Sequence, residues 1–390
     1  MKVNVITFHF AHNFGAVLQC FALQEKLREL GYDVEVINYR PEYHIKSYKC
    51  LINPFQYYRN VIHNMDTTPN MRNRVITLVK AVLANRRIIK NGIRKQNFDR
   101  FVEKYLQQGM KCATYQDLID IYGKTKEIFI TGSDQVWNRK LIGDDNAYFL
   151  CFASEKNVKI AYAASFGDEK VSNIAETAEL LGDFDAISIR EQIYAIELGN
   201  ILGRNVGNTL DPTFLLSQSV YRKCEKEIRK IRYRKYILVY SLMPSEKLII
   251  FLNRLLKEEK GLFVVNISRF LLRKVPRHRV MNMQSIGPGE FLTCIKDAWC
   301  ILTDSFHGMV FSIIYHKKFW TFENKNGSLR LKGLLHELGI NNRFISVKST
   351  RVTDVKEEID YSIVDTLLLQ AVARSNVFLE EALNMRNVKV

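Results

Sequence analysis

The chain's 390 residues exceed what one hydrophobic core commonly serves, which predicts two domains. A composition of 47% hydrophobic and 25% charged residues is that of a folded globular protein and excludes intrinsic disorder. Lys and Arg number 57 against 41 Asp and Glu, a formal net charge of +16, and no apolar run reaches the roughly 18 residues a membrane-spanning helix needs.

The first element is a strand at Val3–His9; the segment has neither the long apolar core nor the small-residue cleavage site of a signal peptide. A turn with Asn13 and Gly15 leads into a helix carrying Val17, Leu18, Phe21, Leu27 and Leu30 at helical spacing, ended by Gly31. Asp33–Tyr39 reads as a second strand, which completes a βαβ unit. Residues from about 40 to 110 are basic and helix-prone and read as an insertion. Strands follow at Glu127–Thr131, Lys159–Ala164 and Ala186–Arg190, and a segment from about Leu210 to Arg234 bridges to a second series. That series runs strand Tyr236–Leu242, a helix capped by Ser245, strand Leu262–Ile267, a strand near Val280–Gln284, and a helix opened by Pro288 and Glu290. Strands Trp299–Thr303 and Lys318–Phe322, helix Leu329–Leu338 closed by Gly339, and a last amphipathic helix at about Tyr361–Leu383 complete it. Alternating strands and helices predict an α/β fold of two doubly wound parallel sheets facing a cleft.

The positive charge is uneven. Arg40–Met110 carries fourteen Lys/Arg against four Asp/Glu, much of it in Arg72–Lys104, with smaller basic runs at Arg229–Lys235 and Arg269–Arg279. Such runs suit nucleic acid, an anionic membrane surface or a phosphate-bearing substrate. No zinc spacing or aromatic RNA-binding motif is present, so nucleic acid is set aside; for any single run a solvated helix face is the plain account. Seven scattered cysteines, without paired spacing, predict reduced thiols and a cytoplasmic location.

Polar residues gather where strands end. Thr303-Asp304-Ser305-Phe306-His307-Gly308 separates an apolar strand from an apolar helix. This puts His307 at a helix start on the carboxyl edge of a sheet, where open α/β sheets bind ligands. By spacing alone a capping turn accounts for it equally well. His9 with Asn13-Phe14-Gly15, Gly132-Ser133-Asp134-Gln135-Val136-Trp137-Asn138, Ser165-Phe166-Gly167 and Arg190-Glu191 occupy the same position after other strands. There is no Walker loop, dinucleotide fingerprint, His-Glu-x-x-His helix or Gly-x-Ser-x-Gly elbow. Asp134, Asp211 and Asp304 could hold a metal, but no spacing demands one. A histidine, strand-edge arginines and backbone N–H groups suit an anionic, phosphate-bearing substrate.

These clusters, together with Asn13 to Gln19, Ala161 to Gly167, Ser188-Ile189-Arg190-Glu191, Asp211-Pro212-Thr213, Gly287-Pro288-Gly289-Glu290-Phe291 and Asp304 to Gly308, make the chain resemble the polysaccharide pyruvyl transferases over nearly its whole length. The resemblance implies a GT-B-like pair of Rossmann-type domains. Residues 1–210 would form the acceptor side, with the insertion at about 40–110; 211–360 would form the phosphoenolpyruvate side, and 361–390 a C-terminal helix. It implies transfer of pyruvate from phosphoenolpyruvate to a sugar as a ketal, with no metal or other cofactor. His307 would be the general acid/base. Arg190, Ser305, Gly308 and Arg330 would hold phosphoenolpyruvate, and His9, Asn13, Gly15, Ser133, Asp134 and Ser165 the acceptor. Some members carry Arg-x-His where this chain has Ser305-Phe306-His307, so another residue must supply that charge. An acceptor on a polyprenyl-diphosphate carrier would give Arg72–Lys104 and Phe55, Tyr57 and Tyr58 a place at the anionic inner leaflet. Two alternatives stay open: a GT-B glycosyltransferase using a nucleotide sugar, and a non-catalytic scaffold in polysaccharide assembly.

Overall fold

A computed structural model describes residues 2–43, 91–167, 171, 174–231, 234–324, 328–346 and 357–385. Seven strands form the first sheet: β1 (Lys2–Ile6), β2 (Asp33–Tyr39), β3 (Gln108–Cys112), β4 (Ile128–Thr131), β5 (Val158–Ala164), β6 (Ala186–Ile189) and β7 (Gly207–Asn208). Their order is β3-β2-β1-β4-β5-β6-β7, and every neighbouring pair is parallel. The second sheet holds β8 (Tyr236–Tyr240), β9 (Phe263–Asn266), β10 (Val280–Asn282), β11 (Cys300–Thr303), β12 (Phe319–Phe322) and β13 (Phe344–Ile345) in the order β10-β9-β8-β11-β12-β13, again all parallel. Both sheets repeat the Rossmann order, in which direction reverses between the first and fourth strands. The fold is α/β and GT-B-like. Strands such as β5 and β8 are buried at every residue, as sheets covered on both faces require, so they read as continuous apolar runs.

Six helices position the site: α1 (Phe14–Glu29), α2 (residues 91–105), α3 (Pro288–Asp297), α4 (Phe306–Ile314), α5 (Ser328–Glu337) and α6 (Tyr361–Asn384). Asn13 starts α1 by accepting the Gly15 N–H at 3.0 Å. This helix is buried nearly all round because it lies between the two sheets. Its Phe14 ring stacks on Phe291 of α3 at 4.5 Å between centroids and meets Tyr240 at 5.5 Å. Phe14, Val17, Leu18 and Phe21 share one core with Tyr240, Phe291 and Phe311, so apolar burial joins the halves. Losing a ring such as Phe14 would cost about 3–5 kcal/mol. From α2, Arg94 lies over Phe14 at 4.4 Å, donates to Gln284 O at 3.1 Å and to His12 O at 3.2 Å; Asn97 donates to Ser285 O at 2.9 Å. The last helix returns to the first sheet, where Leu379, Ala382 and Leu383 pack with Val3, Val5 and Ile128.

The basic insertion is the main departure from the sequence reading. Its residues 44–90, including Phe55, Tyr57, Tyr58 and the start of Arg72–Lys104, lie outside the described residues. In its described end Lys95, Arg100 and Lys104 are exposed, as a solvated face has them, while Arg94 is buried as a strut between the halves. The insertion also gives way to a strand earlier than expected. Gln108-Gly109-Met110-Lys111-Cys112 has little strand character, yet pairs with β2 from Val36↔Gln108 to Tyr39↔Cys112. Edge strands take their form from the neighbour they pair with rather than from propensity. No helix among the described residues is long and apolar enough to cross a membrane.

Candidate active site

Parallel strands bring distant residues to one rim. The turn after β11 is ordered from within: Thr303 Oγ1 accepts the Ser305 N–H at 3.0 Å, and Ser305 caps α4 by accepting the Gly308 N–H at 3.4 Å. Gly308 is held so closely that a Cβ there would lie 2.2 Å from Thr303 Oγ1. The next residue inward, His307, is buried and crosses to the first sheet's side. Its Nε2 lies 3.3 Å from Asp211 Oδ2, while its ring covers Gly15 at the start of α1. A Cβ on Gly15 would sit 2.0 Å from His307 Nδ1, so position 15 admits no side chain.

Asp211 is the hub. Besides His307 it accepts from Arg190 Nη1 at 2.7 Å, Ser133 Oγ at 3.1 Å, Thr213 N at 3.1 Å and Thr213 Oγ1 at 2.7 Å. Burial pushes its carboxyl upward, but the His307 ring, Arg190 and the Thr213 hydroxyl outweigh this and hold it below the usual carboxylate range. An ionised Asp211 therefore fixes the Nε2 side of the ring, while Nδ1 faces Gly15 at the start of α1. The sequence marked Asp211 only as a strand-end acid. Its setting beside Pro212 and Thr213 signals a local cap, while its long-range partners come from residues 133, 190 and 307.

Two arginines adjoin this hub. Arg190 and Arg330, with side chains only 3% and 8% exposed, lie 4.9 and 5.7 Å from the Phe306 ring centre. Arg190 Nε and Nη2 and Arg330 Nε have no hydrogen-bond partner among the described residues. Burial lowers the Arg330 pKa, and the charge of Arg190 lowers it further. An anion between the two guanidiniums would relieve both costs. They line a cavity of about 650 Å³ together with Glu191, Asp211 and Phe306. Glu191, which the sequence placed beside Arg190 without a role, accepts from Ser165 Oγ and lies 3.9 Å from Arg330 Nε.

A second cavity of about 450 Å³ opens on the first sheet's rim, lined by Phe8, Phe10, Asn13, Asp134 and Gln135 among others. Of the expected acceptor residues, Asn13 and Asp134 line it and the rest are spent elsewhere. His9 turns into the core, its Nδ1 3.2 Å from Thr7 O and its Nε2 3.2 Å from Asn38 Oδ1; burial and then Arg40 pull its pKa down to about 4. This corrects its placement on an acceptor wall. Gly15 backs the His307 ring, Ser133 holds Asp211, and Ser165 is fully buried against Glu191. Of the expected phosphoenolpyruvate residues, Arg190 and Arg330 line the larger cavity, whereas Ser305 and Gly308 build the α4 cap.

Solved structures with similar chain paths include the UDP-GlcNAc 2-epimerase of Methanocaldococcus jannaschii, at TM-score 0.47 and 12% identity over 96% of this chain and 92% of that one. The Neisseria meningitidis UDP-GlcNAc 2-epimerase bound to UDP-GlcNAc gives 0.45 and 10% over 98% and 94%, and the Streptomyces nogalater glycosyltransferase SnogD 0.38 and 10% over 100% and 99%. Among curated proteins no sequence matches this chain. The sequence profile of the polysaccharide pyruvyl transferases does match, over residues 13–326, the span that contains Asn13, Asp134, Arg190, Asp211 and His307. The chain belongs to the polysaccharide pyruvyl transferase family.

Proposed function

We propose that this transferase moves pyruvate from phosphoenolpyruvate onto two hydroxyls of a sugar, forming a ketal and releasing phosphate. The observation that carries this reading is the pair of nearly buried arginines with unpartnered N–H groups, set beside the His307–Asp211 pair. Phosphoenolpyruvate carries a phosphate and a carboxylate, the two groups that planar guanidinium forks bind best. His307 delivers a proton to the methylene carbon, and C2 becomes an oxocarbenium-like centre. One sugar hydroxyl bonds to C2 and a second displaces the phosphate. Of the two hydroxyl protons, one replaces the proton placed on the new methyl group and one leaves with the phosphate. The fixed charges of the hub act on a centre shielded from water, which would otherwise capture it. Arg330, arriving from α5, takes the place of the arginine that position 305 lacks. No metal or redox cofactor enters these steps.

An acceptor on a polyprenyl-diphosphate carrier would require contact with the inner face of the membrane. The second sheet's rim supports such contact: Phe270 and Leu271 are 47% and 65% exposed and stand among Arg269, Arg273 and Lys274. Binding to anionic vesicles at low salt, lost at high salt, is expected; no binding would remove the membrane from the reading. The reaction itself is tested by mass spectrometry of lipid-linked sugars incubated with phosphoenolpyruvate. The expected product carries one pyruvate ketal, and His307→Gln lowers its rate by about 10²–10⁴-fold. Near wild-type transfer by His307→Gln would overturn the role of the histidine. Tight binding of uridine or guanosine diphosphate with none of phosphoenolpyruvate would favour the nucleotide-sugar alternative.

A further inference from the structure

We infer that Asp134 receives the proton of the attacking sugar hydroxyl, in an acceptor subsite bounded by Phe8, Phe10, Asn13, Tyr43 and Gln135. The inference rests on the pyruvyl-transfer reading and adds the base that reading leaves unnamed. The cavity these residues line, about 450 Å³, has the chemistry that recognises a sugar ring: aromatic faces for its C–H surfaces, and amide and carboxylate groups for its hydroxyls. Asp134 lines this cavity, Arg190 lines the neighbouring one, and their charged ends are 3.7 Å apart. The pair is thus the partition across which a hydroxyl on one side must reach the enol carbon on the other.

The other two carboxylates of the site, Asp211 and Glu191, line the larger cavity with Arg190 and Arg330, whereas Asp134 is the carboxylate that lines the smaller one. Asp211 already accepts from Arg190, Ser133, Thr213 and His307; Glu191 accepts from Ser165 through Oε1, and its Oε2 is buried without a partner among the described residues. Asp134 alone of the three accepts no side-chain hydrogen bond among the described residues; its contact with Arg190 Nη2 is an ion pair at 3.7 Å. It also holds a positive φ of 80°, unusual outside glycine, in the turn that follows β4. In the step proposed, the hydroxyl O–H bond breaks toward Asp134 as its oxygen bonds to C2, and Arg190 stabilises the carboxylate beforehand. His307 supplies the opposite transfer, to the methylene carbon. The proton on Asp134 is returned to solvent or to the departing phosphate, so the count closes.

Asp134→Asn is the informative variant, because asparagine tolerates positive φ nearly as well and removes only the charge. Phosphate release and ketal formation are followed against pH with saturating acceptor. For Asp134→Asn, kcat falls by about 10²–10⁴-fold, the low-pH limb of the kcat/KM profile flattens, and half-saturation by phosphoenolpyruvate and the thermal midpoint stay near wild type. Phe10→Ala raises the acceptor KM by about tenfold without moving that of phosphoenolpyruvate. An active wild type whose Asp134→Asn variant keeps the low-pH limb, or loses phosphoenolpyruvate and acceptor saturation equally, overturns the inference alone; the second result would make Asp134 a mere prop for Arg190. A wild type that releases no phosphate with any acceptor overturns the pyruvyl-transfer reading and this inference with it.

Discussion

The turns after β4 and β11 leave topologically equivalent strands, each the fourth in its Rossmann order, and they solve different problems. The turn after β11 spends its acid. Asp304 accepts the Leu242 and Met243 N–H groups at 2.6 and 3.0 Å and the Ser241 hydroxyl at 2.7 Å. Burial pushes its pKa up despite these bonds, and the carboxylate serves to tie β11 to the loop after β8. What this turn carries across to the first sheet's side is a buried imidazole on an apolar helix. After β4 the arrangement is reversed: Ser133 is the tie, bonded to Asp211, and Asp134 is the group turned toward a cavity. One architecture used twice thus delivers a carboxylate from one sheet and a histidine from the other. The strand order fixes where a residue stands, and the local hydrogen bonds decide whether it is free to act.

Asp211 joins the two turns, so removing it is the strongest way to break the comparison. Asp211→Ala leaves His307 buried without its acid and Arg190 with only the longer contact to Asp134, and is expected to cost about 3–5 kcal/mol, read as a lower urea midpoint. An unchanged midpoint would show that the hub holds nothing together. The sign of its pH dependence follows from its depressed pKa: stability from the ionised form is present above the ordinary carboxylate pKa of about 3.9 and is lost as pH falls toward the folded value. The difference between wild type and Asp211→Asn should therefore shrink below about pH 4.

His9 and His307 sharpen the contrast, since both follow strands at a sheet's switch point. His9 is locked neutral. Its folded pKa of about 4 lies under the ordinary 6.5, so its contribution is complete above pH 6.5 and is lost as pH falls to about 4. That window is worth roughly 3 kcal/mol, and His9→Gln should flatten the urea midpoint across it. His12, also near 4, leaves a residual slope. A wild-type midpoint indifferent to pH from 6.5 to 4 would place His9 outside the core.

Most of the architecture is legible in the sequence because buried parallel strands write themselves as apolar runs, such as Tyr236 to Tyr240 and Cys300 to Thr303. Polar edges do not: β3 lacked any such run, and the two-residue strands β7 and β13 are too short to leave a pattern. The site divides the same way. Arg190, Arg330, Asn13 and Asp134 reach cavities because they stand at strand or helix ends, which spacing reveals. Asp211 became the hub, and His9 a core residue, through partners far away in the chain, which spacing cannot reveal. Gly15 is the clearest case: the turn explains a glycine there, but the reason is a histidine ring contributed by the other sheet.

That ring makes Gly15→Ala a direct probe of how the second turn is seated. The added methyl would fall 2.0 Å from Nδ1 and 2.2 Å from Cγ, so the ring must leave its place over α1 and with it the Asp211 contact. A displacement of about 1 Å commonly costs 10²-fold in rate, which is the loss expected in ketal formation. Wild-type rates in Gly15→Ala would mean that His307 works from a different position.

The smallest effect addresses the charge that position 305 lacks. If Arg330 supplies it, Arg330→Lys should raise half-saturation by phosphoenolpyruvate about tenfold while changing kcat less, because lysine keeps the charge but loses the planar fork. Ser305→Arg in that background then becomes a rescue experiment. It costs about 1 kcal/mol of α4 stability through the lost cap, yet places a guanidinium where some family members carry theirs. Recovered phosphoenolpyruvate affinity in the double variant, beside a lowered thermal midpoint, would show two routes to one anchor. Equal weakening in the single and double variants would mean that Arg330 serves Glu191 and the fold of the pocket rather than the substrate.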